Sequence, residues 1–395
     1  MPSRVIAKYL RVHAEPEVRA VPAHLGQWRH VVCIPAFDEA DSLQTTLSSL
    51  ADAARSADAL TIVVVNARED ASDVEHRGNT ETLCQLHSLG ATEAPISWGS
   101  LNGMGLLVVD RATGGRRLPP GQGVGLARKI GCDIALSLIA QGQLTGDWIR
   151  STDADVAVPH DFFGQLIDLP AEASAAIAPF IHIPEGDALQ RRCMALYEAY
   201  LQSYVDGLKS AGSPYAFHTI GSLISVRAQS YAVVRGIPKR QAGEDFYLLN
   251  KLAKVGCVVS LEGEPVRIRG RLSLRVPFGT GQALKAFRSA VEQGQPTRRY
   301  DPSLFEGLRC WLEALERFVA APEVDQLRAS IEQIGPPLGP ELLEALTDMG
   351  AFASAHKASL QVGGPQLRHR LMEWNDGFRT LKLIHALREA RILEG

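Results

Sequence analysis

Three nearly uninterrupted apolar runs constrain this chain more than any other feature. They are Val31-Val32-Cys33-Ile34, Leu60-Thr61-Ile62-Val63-Val64-Val65 and Leu106-Leu107-Val108-Val109. Each is short and mostly β-branched, so each reads as a strand. A strand with one wet face alternates apolar and polar residues. A continuous run signals burial on both faces, as in a parallel sheet covered by helices. Helical patterns separate the runs. Asp41 or Ser42 can cap a helix with Leu43, Leu47 and Leu50 at helical spacing. Gly123 to Ala140 puts Ala127, Ile130, Ile134 and Leu138 on one face. Trp148-Ile149-Arg150-Ser151 then leads, as a fourth strand, into Thr152-Asp153-Ala154-Asp155. The alternation predicts an α/β fold with a mostly parallel sheet flanked by helices. Ligands in such folds bind beyond the carboxyl ends of the strands.

Past about Gln282 the pattern changes. Helical stretches run over Leu308 to Ala320, Pro340 to Met349 and Gln366 to Ile392, separated by Gly335-Pro336-Pro337 and Gly363-Gly364-Pro365. With 395 residues, more than one domain is expected. The division read from the pattern is an N-terminal extension over 1–29, an α/β domain over 30–282 and a helical C-terminal region over 283–395. A net charge of −3 does not mark a nucleic-acid binder. Six cysteines lie scattered without a C-x-x-C pair, which argues against structural zinc and a disulfide framework. They read as small core residues in a reducing compartment. Met1 to His24 lacks the apolar segment of a signal peptide. No stretch approaches the roughly 18 apolar residues of a membrane helix. The expectation is a cytoplasmic protein.

Several residues can carry chemistry, and each has a plainer reading. Asp153 and Asp155, one residue apart at a strand end, can hold Mn²⁺ or Mg²⁺ through hard oxygen ligands, or simply sit in a solvated turn. Gly243-Glu244-Asp245 opens an apolar helix read over Phe246 to Val255. Two carboxylates there suit the helix dipole, or one takes a proton from a hydroxyl. Gly121-Gln122-Gly123-Val124-Gly125 does not follow the first strand, so it is not a dinucleotide loop. With Arg128 and Lys129 it either contacts phosphate or forms a turn and a surface basic pair. Arg267, Arg269 and Arg271 share one strand face, with Arg275 beyond. They are either a charged edge strand or a neutralising set for a diphosphate, near a Gly279-Thr280-Gly281 loop that could close. His218, before Gly221-Ser222, is either structural or a ligand contact.

In order along the chain, these segments resemble the family 2 glycosyltransferases, which have a GT-A fold. Ile34-Pro35-Ala36-Phe37-Asp38-Glu39 is similar to the family's I-P-A-Y-N-E. Gly125-Leu126-Ala127-Arg128-Lys129 is similar to G-x-a-x-A-R-N, and Ser151 to Asp155 is similar to F-L-D-A-D. Gly221-Ser222 and Gly243-Glu244-Asp245 resemble the acceptor strand and the later E-D. The resemblance covers roughly residues 31–281. It implies a metal-dependent, inverting transfer of a sugar from a nucleotide-diphosphate donor to a hydroxyl acceptor. Asp155 would bind the metal, Mn²⁺ or Mg²⁺. Asp153 would bind the ribose or the metal. Pro35, Ala36, Glu39, Asn66 and Arg128 would line the nucleotide site. Asp245 would be the general base, with Glu244 placing the acceptor. Gly221, Ser222, Arg271, Arg275 and His218 would serve the diphosphate or acceptor.

The family's V-D-D-G-S is here Val64-Val65-Asn66-Ala67-Arg68. An aspartate there normally meets the base. Asn66 offers both a donor and an acceptor in its place. A UDP-sugar is the default donor and a GDP-sugar the alternative. The rival readings are a sugar nucleotidyltransferase, a retaining glycosyltransferase and a non-catalytic nucleotide-sugar-binding protein. The first needs a glycine- and arginine-rich loop after the first strand, where Pro35 to Glu39 stand instead. In the C-terminal region, Trp374, Phe378, Leu381, Leu383 and Ile384, with Arg379, Lys382 and Arg388, read as the last helix. Core packing, an oligomer contact or a peripheral membrane face would all use it.

Overall fold

The computed structural model describes residues 3–22, 25–88, 95–271, 280–295 and 299–394. The chain divides into two compact units. One comprises Met1–Ala195 with Thr219–Gln295, the other Leu196–His218 with Pro296–Gly395.

The first unit is built on strands β1 (His30–Ala36), β2 (Ala59–Asn66), β3 (Ile96–Leu101), β4 (Met104–Arg111), β5 (Trp148–Ser151), β6 (Val156–Ala157), β7 (Ala173–Ile177), β8 (Phe180–Pro184), β9 (Ile224–Arg227), β10 (Cys257–Ser260) and β11 (Val266–Gly270). Eight of them form one sheet in the order β10-β7-β9-β5-β1-β2-β4-β3. The centre is parallel: β1 pairs with β2 and β5, and β2 with β4. Every residue of β2 is buried, as its unbroken apolar run demands. The α/β expectation is met. β1 extends one residue beyond Pro35, which pairs with Val64 near the strand end, where one lost ladder bond costs little. β3 is an antiparallel edge strand that the sequence reading did not include. It joins β4 through Asn102 and Gly103, both at positive φ. A second sheet has the order β6-β11-β8, so β11 is its central strand rather than an edge. The alternation read for its arginines holds for Arg267 and Arg269, which alternate with buried Val266 and Ile268, but β11 ends at Gly270 and Arg271 lies beyond it.

The helices associated with this unit are α1 (Arg4–Val12), α2 (Leu43–Ala53), α3 (Asp73–His87), α4 (Val124–Gln141), α5 (Ala188–Ser210), α6 (Ala228–Val233), α7 (Glu244–Leu252) and α8 (Thr280–Glu292). The boundary between units falls inside α5, and the sequence boundary at 283 falls inside α8. Almost all of α4 is buried, including Arg128 and Lys129. Of the two sequence readings of this segment, the surface basic pair is therefore ruled out. Lys129 Nζ donates to Tyr9 Oη at 2.9 Å and Asp133 Oδ2 at 2.5 Å. The Tyr9 and Tyr231 hydroxyls both donate to Asp133 Oδ1 at 2.7 Å. Burial raises the Asp133 carboxyl above its ordinary value despite the Lys129 charge. This buried network fastens α1 to the α/β core, so the N-terminal segment packs as part of the first unit.

The second unit contains α9 (Pro302–Ala320), α10 (Val324–Glu332), α11 (Leu338–Asp348), α12 (Ala351–Ser359), α13 (Gly364–Trp374) and α14 (Gly377–Glu394). Its core gathers Phe305, Leu308, Trp311, Leu342, Leu346, Ile384 and Leu387. The helix read as continuous over Gln366 to Ile392 is broken at Asn375-Asp376. Trp311 Nε1 donates to Asn375 Oδ1 at 3.1 Å, and Asp376 Oδ1 accepts from Arg379 N at 3.1 Å, a cap for the next helix. Trp374 thus ends α13 and does not belong to the last helix. Leu383 and Ile384 are core residues, whereas Phe378 is exposed. Among the described residues no helix is long and apolar enough to cross a membrane. All six cysteines are free. Cys33, Cys132 and Cys193 are buried, but Cys84 and Cys257 are exposed, against the core reading for those two.

Candidate active site at the ends of β1, β2 and β5

β5 delivers Ser151 and then Thr152 to Asp155 at the carboxyl end of the sheet. Thr152 N donates to Cys33 O at 3.0 Å, and its hydroxyl to Ser222 O at 2.9 Å. These bonds tie the acidic loop to β1 on one side and to the 221–223 turn on the other. β6 continues the loop and is held by α2. Thr46 Oγ1 donates to Val156 O at 2.7 Å, and Ser49 Oγ accepts from Val158 N at 3.1 Å. Thr46 lies among Leu43, Leu47 and Leu50 and is fully buried. A polar residue inside an apolar stripe was the signal that could have marked it. Pairing of β6 with β11 places Arg269 N on Asp155 O at 3.2 Å. The chain then turns Arg271 toward the same aspartate.

Two arginines share the carboxylates. Arg128, in α4, is 3% exposed. Its Nη2 donates to Asp153 Oδ1 at 2.8 Å, its Nε to Glu244 Oε1 at 3.2 Å and its Nη1 to Gly221 O at 3.0 Å and to the Ser151 hydroxyl. Burial alone would lower the pKa of this guanidinium. The charges of Asp153 and Glu244 outweigh burial and raise it. Gly221 leaves room for this guanidinium: a Cβ there would lie 2.7 Å from Arg128 Nη2 and would push it aside. Arg271 is the second. Its Nη2 reaches Glu39 Oε1 at 2.5 Å and Asp155 Oδ2 at 2.9 Å. The other Glu39 oxygen accepts from the Ser42 hydroxyl. Ser42 thus contacts Glu39 instead of capping α2 through its side chain.

Glu244 and Asp245 occupy the first turn of α7, as the sequence reading placed them, although α7 starts at Glu244 and ends at Leu252. Glu244 is buried. Asp245 Oδ1 accepts from Phe246 N at 2.7 Å. Burial, with the Glu244 charge added, pushes the Asp245 carboxyl up to about 7, against the opposing pull of Arg128. A carboxylate that ionises near neutral pH has the basicity a general base needs there.

The remaining candidates are placed as follows. Pro35 and Ala36 lie within the β1–β2 ladder, and Asn66 Nδ2 donates to Ala36 O at 3.0 Å and Val64 O at 3.3 Å. The donor half of Asn66 is thus spent on the main chain. Ser222 is buried, and its hydroxyl has no partner among the described residues. Gly125 serves close packing rather than phosphate: a Cβ there would lie 2.6 Å from Pro238 O. Arg269 pairs with Glu185 at 2.5 Å. His218 belongs to the helical unit, where its Nε2 lies 3.2 Å from Gln202 Oε1 and burial lowers its pKa. Arg275 and Gly279 lie outside the described residues. No group of three or more His, Cys, Asp or Glu that could hold a metal ion occurs among the described residues.

The chain is similar in fold to GT-A-type nucleotide-sugar glycosyltransferases of known structure. No protein-family model and no curated protein matches it. TarS 1-349 from S. aureus, in complex with UDP-GlcNAc, is 12% identical over 89% of this chain and 92% of its own, with a TM-score of 0.42. A mannosyltransferase from Pyrobaculum calidifontis, in complex with GDP-Man and Mn²⁺, is 14% identical over 94% and 93%, with a TM-score of 0.39. Glucosyl-3-phosphoglycerate synthase from Mycobacterium tuberculosis, in complex with Mn²⁺ and UDP-glucose, is 13% identical over 75% and 86%, with a TM-score of 0.32. What bears on function is the set of side chains at the strand ends.

Proposed function

We propose that this protein is an inverting glycosyltransferase that moves a sugar from a nucleotide-diphosphate donor to a hydroxyl acceptor. The observation that supports this most is the convergence of Asp153, Glu244 and Asp245 around buried Arg128, beside Asp155 and Glu39. The donor nucleotide lies beyond the ends of β1 and β2, with Asn66 at the base. Asp155, with Glu39 brought to it by a shared cation, would hold Mn²⁺ or Mg²⁺. One or two carboxylates plus phosphate oxygens form an ordinary ligand set for such an ion, so the residues fit it. A divalent cation bound there supplies neutralisation for the diphosphate as it leaves.

The acceptor oxygen attacks the anomeric carbon on the side opposite the diphosphate. The new carbon–oxygen bond forms as the anomeric carbon–phosphate-oxygen bond breaks, and Asp245 takes the hydroxyl proton. The charge of Glu244, which is paired with Arg128, keeps Asp245 basic enough for that transfer near neutral pH. Asp153, anchored by Arg128, offers its second oxygen to the ribose. A UDP-sugar is the default donor and a GDP-sugar the alternative.

A thermal-shift screen of nucleotide sugars with Mn²⁺ and with Mg²⁺ tests the class and identifies the donor, because a ligand that binds only the folded state raises the unfolding temperature. One nucleotide sugar should stabilise the protein in the presence of metal, and Asp155→Ala should abolish that effect in calorimetry. No response to any nucleotide sugar would overturn the reading. An unchanged metal-dependent response in Asp155→Ala would remove the metal assignment.

A further inference from the structure

Arg271 stands where a metal would stand. Its guanidinium spans Glu39 Oε1 and Asp155 Oδ2, two carboxylates contributed by different strand-end loops. Each carboxylate is held independently. Glu39 accepts from the Ser42 hydroxyl in its own loop, and the Asp155 main chain is pinned by Arg269 of β11. The guanidinium brings positive charge directly onto two converging carboxylates. A divalent cation bound to the same oxygens would lie against that guanidinium, and the two positive charges repel. Arg271 is about one-fifth exposed, unlike buried Arg128. It has room to move, but only to a second anion of comparable attraction.

We propose that Arg271 is a built-in competitor of the metal, so that a divalent cation enters only together with a nucleotide diphosphate that draws the guanidinium off Glu39 and Asp155. A diphosphate suits this exchange because its oxygens match the guanidinium fork. The inference rests on the reading of Asp155 as a metal ligand. It adds a thermodynamic link between the two ligands: nucleotide tightens metal and, by necessity, metal tightens nucleotide by the same factor. It also protects the carboxylate pair from adventitious divalent cations in the free protein.

Calorimetric titration of Mn²⁺ into the full chain tests this, without nucleotide and with saturating UDP or GDP. The wild-type protein should bind Mn²⁺ weakly alone and between about 5-fold and 100-fold more tightly with the nucleotide, the usual range of such coupling. Arg271→Gln should bind Mn²⁺ alone more tightly than the wild type by a similar factor and lose most of the coupling. Arg271→Lys retains the charge and should stay close to the wild type without nucleotide. Thermal unfolding of each variant establishes that it is folded. Equal Mn²⁺ affinity of wild type and Arg271→Gln without nucleotide would overturn the competition while leaving the metal assignment intact. Absence of Mn²⁺ binding to the wild type under every condition would instead remove the assignment of Asp155 as a ligand for that ion, and the inference with it.

Discussion

Asp153 and Asp155 are separated by one residue, yet their arginine partners differ in kind. Arg128 reaches Asp153 from inside the main helix of the α/β unit, is almost wholly buried and also fixes Glu244, Ser151 and Gly221. Arg271 reaches Asp155 from just beyond β11, is partly exposed and pairs with two carboxylates that stand in loops. A guanidinium with every direction satisfied inside the protein is a scaffold, because moving it strands buried carboxylates. A guanidinium at the rim exchanges one anion for another at little cost. The acidic motif is thus split between a fixed half and an exchangeable half.

The strongest test of the fixed half is Arg128→Met. Removing one partner of a buried ion pair leaves an uncompensated charge and costs about 3–5 kcal/mol. Urea denaturation should show that loss, and Arg128→Met combined with Glu244→Gln should recover part of it. A loss below about 1 kcal/mol would place Arg128 with Arg271 and dissolve the distinction.

Asp245 sharpens the same half through its titration. Its carboxyl ionises near 7, so kcat/KM should rise with pH and level off above that value. Glu244→Gln should move the midpoint down, since the Glu244 charge raises the Asp245 pKa. Arg128→Lys, which loosens a charge that lowers it, should move the midpoint up. Asp245→Asn should retain donor binding and lose transfer by about 10²-fold or more, the usual contribution of a general base. Full activity in Asp245→Asn would remove it as the base. The stability sign is the opposite of that for an ion-paired aspartate. Between its ordinary value and about 7 the folded state keeps a proton that the unfolded chain has lost, so Asp245 makes stability fall as pH rises through that window.

Much of the fixed half was legible in the sequence. Continuous apolar runs required strands buried on both faces, and the Asp153-Ala154-Asp155 loop followed one of them. Glu244 and Asp245 had to open a helix. What the sequence concealed was tertiary. For Arg128-Lys129 the plainer of two readings was a surface pair, because two adjacent cations are usually solvated. Both are buried because Asp153 and Glu244, distant in the chain, and Asp133, one turn further along α4, supply their counter-charges. The break at Asn375-Asp376 was hidden because helical periodicity continues through it, and its cause is the Trp311 hydrogen bond from another helix. The β3–β4 hairpin carried a readable signal in Asn102-Gly103, a dipeptide suited to tight turns with both residues at positive φ. β11 read as an edge because charge alternation is common at edges, although β6 and β8 flank it.

The smallest expected effect lies in the exchangeable half. Arg271→Met removes an ion pair whose partners remain 11% and 20% exposed, so water replaces much of what the guanidinium supplied. The stability change should be about 1 kcal/mol or less and should shrink further in high salt, because exposed pairs are screened. Paired denaturation of Arg128→Met and Arg271→Met at low and high ionic strength measures the contrast directly. A large, salt-insensitive loss in Arg271→Met would make Asp155 as rigidly held as Asp153. The guanidinium could then not leave the carboxylates when a diphosphate arrives, and the coupling between metal and nucleotide would need another residue to carry it.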